Sequence, residues 1–316
     1  MKKLPLCCPC DKKADLLASE GGYVCTAENC LHGSVANQFR VSDTVPVIIS
    51  EELTDTVCSS KGDVTYVRRP NKNMKKAARF FIGTSETTKS NCQKFLQLVK
   101  SASKEPKILI VGGGEPGVGT EPLWHCKDFD VHSIDIYKSE SVDLICDAHY
   151  LPLKSQTYDG VWIQAVLEHV VEPIKVVSEI FRVLKLDGFV YAESPFMQQV
   201  HEGAYDFQRF TVLGHRYLFK NFDLIEMGGN KGPEQVLAWS VKYLIWGLTR
   251  NRKIASVCGL AVGLLLRPLK HFVSHKSLFD ASSGVFFLGK KNSTKKICHK
   301  ELVTGYKGLQ AKLPKV

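Results

Sequence analysis

A strand-like run, Ile108-Leu109-Ile110-Val111, is followed at once by Gly112-Gly113-Gly114-Glu115-Pro116-Gly117. Glycines permit positive φ and remove the Cβ where a ligand must approach the backbone. Two further apolar runs each close on an acid. Val131 to Ile136 carries Asp135, and Val142 to Cys146 leads into Asp147-Ala148. Acids at the ends of successive strands can hold ribose hydroxyls and the amino group of a base. The glycine loop alone, with Gly112, Gly114 and Gly117, would fit a dinucleotide fold equally well.

A second group of residues suits metal chemistry. Five of the eleven cysteines fall between Cys7 and Cys30. The pairs Cys7-x2-Cys10 and Cys25-x4-Cys30 read as two knuckles, with Gly21-Gly22 turning the chain between them. Four such thiolates suit a tetrahedral zinc ion, and Cys8 and His32 stand by as alternative donors. A unit this small buries little apolar area, so the metal would supply much of its folding energy.

These sites need elements to carry them. Beyond the two acids, Tyr158 to Ile163 reads as a fourth strand ending at Gln164. Pro173 to Leu184 reads as an amphipathic helix, and Phe189 to Glu193 as a fifth strand. Asn221 to Met227 and Ser283 to Gly289 read as the sixth and seventh. Between the last two lies far more chain than a hairpin requires. Glu234 to Leu248 there is amphipathic and aromatic-rich, and Ile254 to Leu266 is almost continuously apolar. Thirteen apolar residues fall short of the roughly 20 needed to span a bilayer. Two readings compete: a lid packed on the core, or helices lying in a membrane interface with Arg250, Arg252, Lys253, Arg267 and Lys270 at their flanks. Residues 51–104 are polar and lysine-rich, with helices expected at Met74–Phe81 and Ser90–Ser101.

The ordered set of glycine loop, Asp135, Asp147 with Leu151-Pro152, Tyr158-Asp159, Leu167-Glu168-His169-Val170 and Leu184-x2-Asp187-Gly188 resembles the class I S-adenosylmethionine-dependent methyltransferases, type 11-like. The cysteine-bearing start, ending in Asn37 to Ile48, resembles the zinc ribbon related to the small activator subunit of tRNA and protein methyltransferases. The resemblance implies a Rossmann-like α/β fold with a seven-stranded sheet, a zinc ribbon at 1–50, a linker and lid at 51–104, and a catalytic domain at 105–291. A helical insertion at 233–282 and a basic tail at 292–316 complete the layout. It also implies that Gly112 and Gly114 pack against the methionine part of the cofactor and that Gly117 belongs to the cofactor-binding loop. Asp135 would hold the ribose, Asp147 and Ala148 the adenine, and Gln164 would sit beside the sulfonium. The family places an acid where this chain has Ile110, with Glu115 or Glu121 as substitutes.

His201, Asp206 and Arg209 lie in a His-x4-Asp-x2-Arg-Phe-Thr sequence that resembles a signature found in a subset of these enzymes. His201 would be a base or acceptor-positioning group. The alternative is a scaffold in which Asp206 and Arg209 pair and fix the loop, and His169 is read as structural. The expected acceptor is a small or lipid-linked molecule, with peripheral membrane contact through 234–271. RNA is the second reading, suggested by a net charge of +10, although that excess sits mostly in MKK, RRPNKNMKK and KKNSTKK. A non-catalytic cofactor-binding scaffold is the third. The MKK start lacks the apolar core of a signal peptide, and abundant thiols suit a reducing compartment, so a cytoplasmic location is expected.

Overall fold

The computed structural model describes residues 2–9, 14–52, 54–60, 86–292 and 296–311. One mixed sheet of eleven strands organises them. Strands β1 (Leu16–Ser19), β2 (Gly22–Cys25), β3 (Phe39–Ser42) and β4 (Val45–Ile48) form an antiparallel meander. Then come β5 (Lys107–Val111), β6 (Asp130–Asp135), β7 (Leu144–Cys146), β8 (Tyr158–Gln164), β9 (Leu184–Pro195), β10 (Phe222–Gly229) and β11 (Gly284–Lys291). These seven lie in the order β7-β6-β5-β8-β9-β11-β10, with β11 antiparallel to both neighbours.

The expected seven-stranded sheet is thus extended to eleven. The cause is a parallel pairing of β4 with β7, in which Val47 faces Ile145 and Ile48 faces Cys146. A three-residue strand would otherwise leave an open edge, and pairing satisfies its backbone groups. The cysteine-bearing segment therefore does not stand apart from the sheet.

Strands buried on both faces read as continuous apolar runs because helices cover each side. On one face, Cys92, Phe95 and Val99 of α1 (Glu86–Ala102) pack with Ile108, Ile110, Trp162 and Tyr191. On the other, Val176, Val177, Ile180 and Val183 of α3 (Pro173–Val183) pack with Leu109, Val111, Val161 and Ile163. A short helix, α2 (Glu121–His125), follows the glycine loop. The helix expected at 90–101 starts earlier, at Glu86, while the one expected at 74–81 lies outside the described residues.

Gly160 has a packing reason. A Cβ there would lie 2.7 Å from Phe95 and 2.8 Å from Val99, and both side chains are fully buried. Gly160→Ala is expected to lower stability by about 1–3 kcal/mol through overpacking, read as a lower denaturant midpoint with an unchanged slope.

Between β10 and β11 the chain forms α5 (Pro233–Thr249), α6 (Arg252–Leu266) and α7 (His275–Ala281), after α4 (Val212–Leu218) earlier in the chain. Arg250 closes α5 in the left-handed conformation, and the Asn251 side chain caps α6 by accepting from the N–H groups of Lys253 and Ile254. The α5–α6 hairpin buries only Ala238 and Ala255. Leu248, Val257, Leu265 and Phe272 are 67–84% exposed. A lid fully packed on the core is therefore not what forms.

The apolar helix is also longer than its sequence suggested, because Arg267–His271 continues it as a tighter turn. Arg252–His271 spans 20 residues and contains an 18-residue window with a mean hydropathy of 1.3, long and apolar enough by those measures to cross a membrane. A last helix, α8 (His299–Thr304), begins with a capping box between Cys298 and Glu301.

Candidate functional site

The glycine loop and both acids gather at the carboxyl ends of β5, β6 and β7, where open α/β sheets bind ligands. Gly112 has φ +77 and donates its N–H to Ile134 O at 3.0 Å. A Cβ at Gly112 would meet Val166 at 2.1 Å. The Gly114 N–H donates to Asp135 Oδ2 at 2.7 Å, and the Ile136 N–H donates to Oδ1 at 2.7 Å. Asp135 thus fixes the loop as well as ending its strand.

Gln164 ends β8 beside Gly117, where a Cβ would lie 2.4 Å from its Oε1. That oxygen is buried and has no hydrogen-bond partner among the described residues. On the neighbouring strand, Glu193 pairs in register with Gln164. Glu193 accepts from Thr88 Oγ1 at 2.9 Å, Tyr191 Oη at 2.7 Å and Asn230 Nδ2 at 2.7 Å. Sequence reasoning missed Glu193 as a site residue; its position at the end of a strand was the available signal. Tyr137 was missed too. Its hydroxyl would lie 2.4 Å from a Cβ at Gly114, and its i+2 spacing from Asp135 could have suggested a shared face.

Asp147 is more occupied than expected. Oδ1 accepts from the His149 N–H at 2.8 Å and from its Nδ1 at 2.6 Å, while Oδ2 accepts from the Thr56 hydroxyl. Burial raises this carboxyl, but the hydrogen bonds from His149 and Thr56 outweigh it and hold it below the ordinary range. Ala148 is buried in the apolar cluster beside it. Ile110 is 3% exposed among Leu123, Trp162 and Phe95. An acid there would face apolar groups, and Glu115 and Glu121 are both exposed.

Past β9 the loop carrying His201 is held by a clamp. Asp206 accepts from both terminal nitrogens of Arg209 and from the His201 N–H at 2.9 Å. Arg209 also donates to the carbonyls of Gln198, Gln199 and Gln208. Burial raises Asp206, yet Arg209 brings it below the usual carboxylate range. The scaffold reading of Asp206 and Arg209 matches this geometry, since every group is used to fix the loop.

His201 sits differently: its Nε2 lies 3.1 Å from His169 Nε2. Burial holds its basicity below the ordinary imidazole value, helped by the neighbouring His169. Glu168, also missed, is fully buried beneath them. Burial pushes its carboxyl up to about 8, against weaker opposition from its own backbone N–H and Arg209.

The cysteine cluster forms with one exchange. Cys8, Cys25 and Cys30 bring their sulfurs within 4.8 Å of one another, with Cys8 and Cys30 at 3.8 Å. Cys7 is not in this set. Its backbone bridges to Asp15 in an extended segment, where adjacent side chains point to opposite sides. Cys10 lies outside the described residues. His32 is also spoken for: Nδ1 meets Asn37 O at 2.6 Å, Nε2 meets Ser50 Oγ at 2.8 Å, and its ring packs on Phe39. Burial, then the neighbouring Cys30 and Cys8, push the Cys25 thiol up to about 12.

A cavity of about 1350 Å³ opens elsewhere, between the cysteine segment and the β6–β7 loop. Five lysines line it, and four of them are paired: Lys2 with Asp143, Lys107 with Asp130, Lys138 with Asp43 and Lys154 with Asp15. It is a largely salt-bridged crevice rather than a cationic groove.

Residues 111–192 match the family model described as a methyltransferase domain. The match covers the glycine loop, both acids, Gln164 and Glu168. No curated protein matches the chain. Among solved structures, a phosphoethanolamine N-methyltransferase 2 from Haemonchus contortus, in complex with S-adenosyl-L-methionine, is 16% identical with a TM-score of 0.45. The similarity covers 73% of this chain and 60% of that one. An S-adenosylmethionine-dependent methyltransferase from Archaeoglobus fulgidus is also 16% identical, with a TM-score of 0.42, covering 70% of this chain and all of that one. Likeness at this level says nothing of the acceptor.

Proposed function

We propose that the protein transfers a methyl group from S-adenosylmethionine to a small-molecule or lipid-linked acceptor. The observation that carries this reading is the gathering of a glycine cradle, the Asp135 carboxylate and the orphaned Gln164 Oε1 at the carboxyl ends of adjacent strands. A buried acceptor oxygen without a partner is costly, and the ammonium of a methionine moiety would satisfy it. Gly112, Gly114 and Gly117 give the backbone clearance, Asp135 the ribose contact, and Asp147 with Ala148 the adenine side. When bound, the cofactor supplies an already activated methyl group, so the protein's task is chiefly positioning. His201 would help orient the acceptor, with Asp206 and Arg209 holding its loop. In the N-terminal segment, Cys8, Cys25 and Cys30 would hold a structural zinc ion. Calorimetric titration with S-adenosylmethionine tests the core claim, and a labelled-methyl assay over small-molecule, lipid and RNA extracts tests the acceptor. Absence of binding would sink the proposal.

A lipid-linked acceptor is supported by the α5–α6 hairpin. Its Tyr243 hydroxyl donates to Val200 O at 2.6 Å, and Ser240 accepts from Gln199 Nε2 at 3.2 Å. The hairpin therefore touches the loop carrying His201 while its outer face is apolar and exposed. Leu265→Ser combined with Phe272→Ser is expected to weaken sedimentation with anionic phospholipid vesicles by at least about tenfold, since each buried apolar side chain contributes roughly 1.5–3 kcal/mol. Unchanged vesicle binding would remove the membrane from this reading.

A further inference from the structure

Glu168, His169 and His201 meet where neither chain order nor the clamp around Asp206 requires it. His169 Nδ1 lies 2.7 Å from the carbonyl oxygen of Tyr205. A carbonyl can only accept, so Nδ1 carries the hydrogen and Nε2 presents a lone pair. His201 Nδ1 lies 3.1 Å from the Asp206 carboxylate, which orients that ring in the same sense. The two Nε2 lone pairs then face each other at 3.1 Å. Neither oxygen of Glu168 has a hydrogen-bond partner among the described residues, although the side chain is 1% exposed. Its Oε1 stands 3.6 Å from His169 Nε2 and 3.9 Å from His201 Nε2. Three electron-pair donors converge here, an arrangement that a positive charge at their centre would satisfy.

The size of that centre is informative. The three atoms form a triangle with sides of 3.1, 3.6 and 3.9 Å. The point equidistant from them lies about 2.1 Å from each, the length of zinc–imidazole and zinc–carboxylate bonds. A shared proton could join the two imidazoles but would leave the Glu168 oxygens unpaired. The outer nitrogens of both rings are held by a carbonyl and a carboxylate, the arrangement that orients metal-bound histidines. The His201 side chain is 28% exposed, which leaves a path for an ion to enter.

We propose that Glu168, His169 and His201 form a binding site for a divalent transition-metal ion. Two imidazoles and one carboxylate suit an ion of borderline softness, such as zinc, cobalt or iron in the divalent state. Three protein ligands leave a coordination position for water or an oxygen ligand. The site is separate from the cysteine cluster and does not depend on the methyl-transfer reading.

The test is titration of the full chain with Co2+, any metal at its cysteines left in place, followed by calorimetry and visible absorption. One Co2+ per chain with weak, nitrogen- and oxygen-type bands is expected. Glu168→Gln and His201→Ala are each expected to weaken binding at least about a hundredfold, beyond the loss typical of outer contacts. His201 lies on a partly exposed loop, so His201→Ala decides the matter by itself if Glu168→Gln does not fold. No Co2+ binding would overturn the proposal, as would intense thiolate-type bands alone or affinity unchanged in His201→Ala.

Discussion

Asp135→Ala is expected to weaken S-adenosylmethionine binding by at least about a hundredfold. The carboxylate makes hydrogen bonds of two kinds, and the substitution removes both. Toward the proposed ligand it would accept from ribose hydroxyls, charge-assisted bonds worth roughly 1.5–3 kcal/mol each. Toward the protein it accepts from the N–H groups of Gly114 and Ile136. Losing the Gly114 contact frees the loop that the cofactor's backbone-facing side requires. Asp135→Asn keeps one acceptor oxygen and the side-chain volume, so its loss should be smaller. Calorimetry measures the affinities, and an unchanged thermal midpoint separates a binding defect from unfolding. Wild-type affinity in Asp135→Ala would remove this residue from the site.

Cys25→Ser, or removal of metal by a chelator, is expected to cost several kcal/mol of stability, concentrated in the first fifty residues. Metal affinity in small structural zinc sites amounts to about 10–16 kcal/mol of apparent folding energy. Only part of that should be lost here, because β4 is also anchored to β7. Three sulfurs within 4.8 Å are poorly arranged for anything but a cation when ionised. Burial raises the Cys25 thiol, so a zinc ion bound there would displace its proton and affinity should fall at acid pH. Elemental analysis should find zinc that Cys25→Ser removes. Amide exchange at Val47 and Ile48 should accelerate together with the loss. A zinc-free protein whose exchange is unaffected by Cys25→Ser would refute a structural metal.

Much of the core was legible in the chain because its signals are local. Buried strands announce themselves as short apolar runs, as in Lys107–Val111 and Tyr158–Gln164, and the glycine loop sits where a strand must turn tightly. Asp135 could be placed because a strand's end follows from the run that precedes it. Ile110 was legible as a departure, but only packing shows it within the apolar layer under α1. The spacing of Cys25 and Cys30 was readable as a knuckle. Which of Cys7 and Cys8 joined them was not, since one residue's shift along an extended segment reverses the side-chain direction.

The sequence by itself determined the parallel strand succession, the glycine turn and the acids that end β6 and β7, because backbone preference and hydrophobic period act over a few residues. Tertiary structure alone decided the rest. It set β4 against β7, left the α5–α6 hairpin apolar on its outer face, and brought His201 against His169 and Glu168. Those outcomes depend on contacts between residues tens of positions apart, whose partners are chosen by the whole sheet and not by their neighbours in the chain.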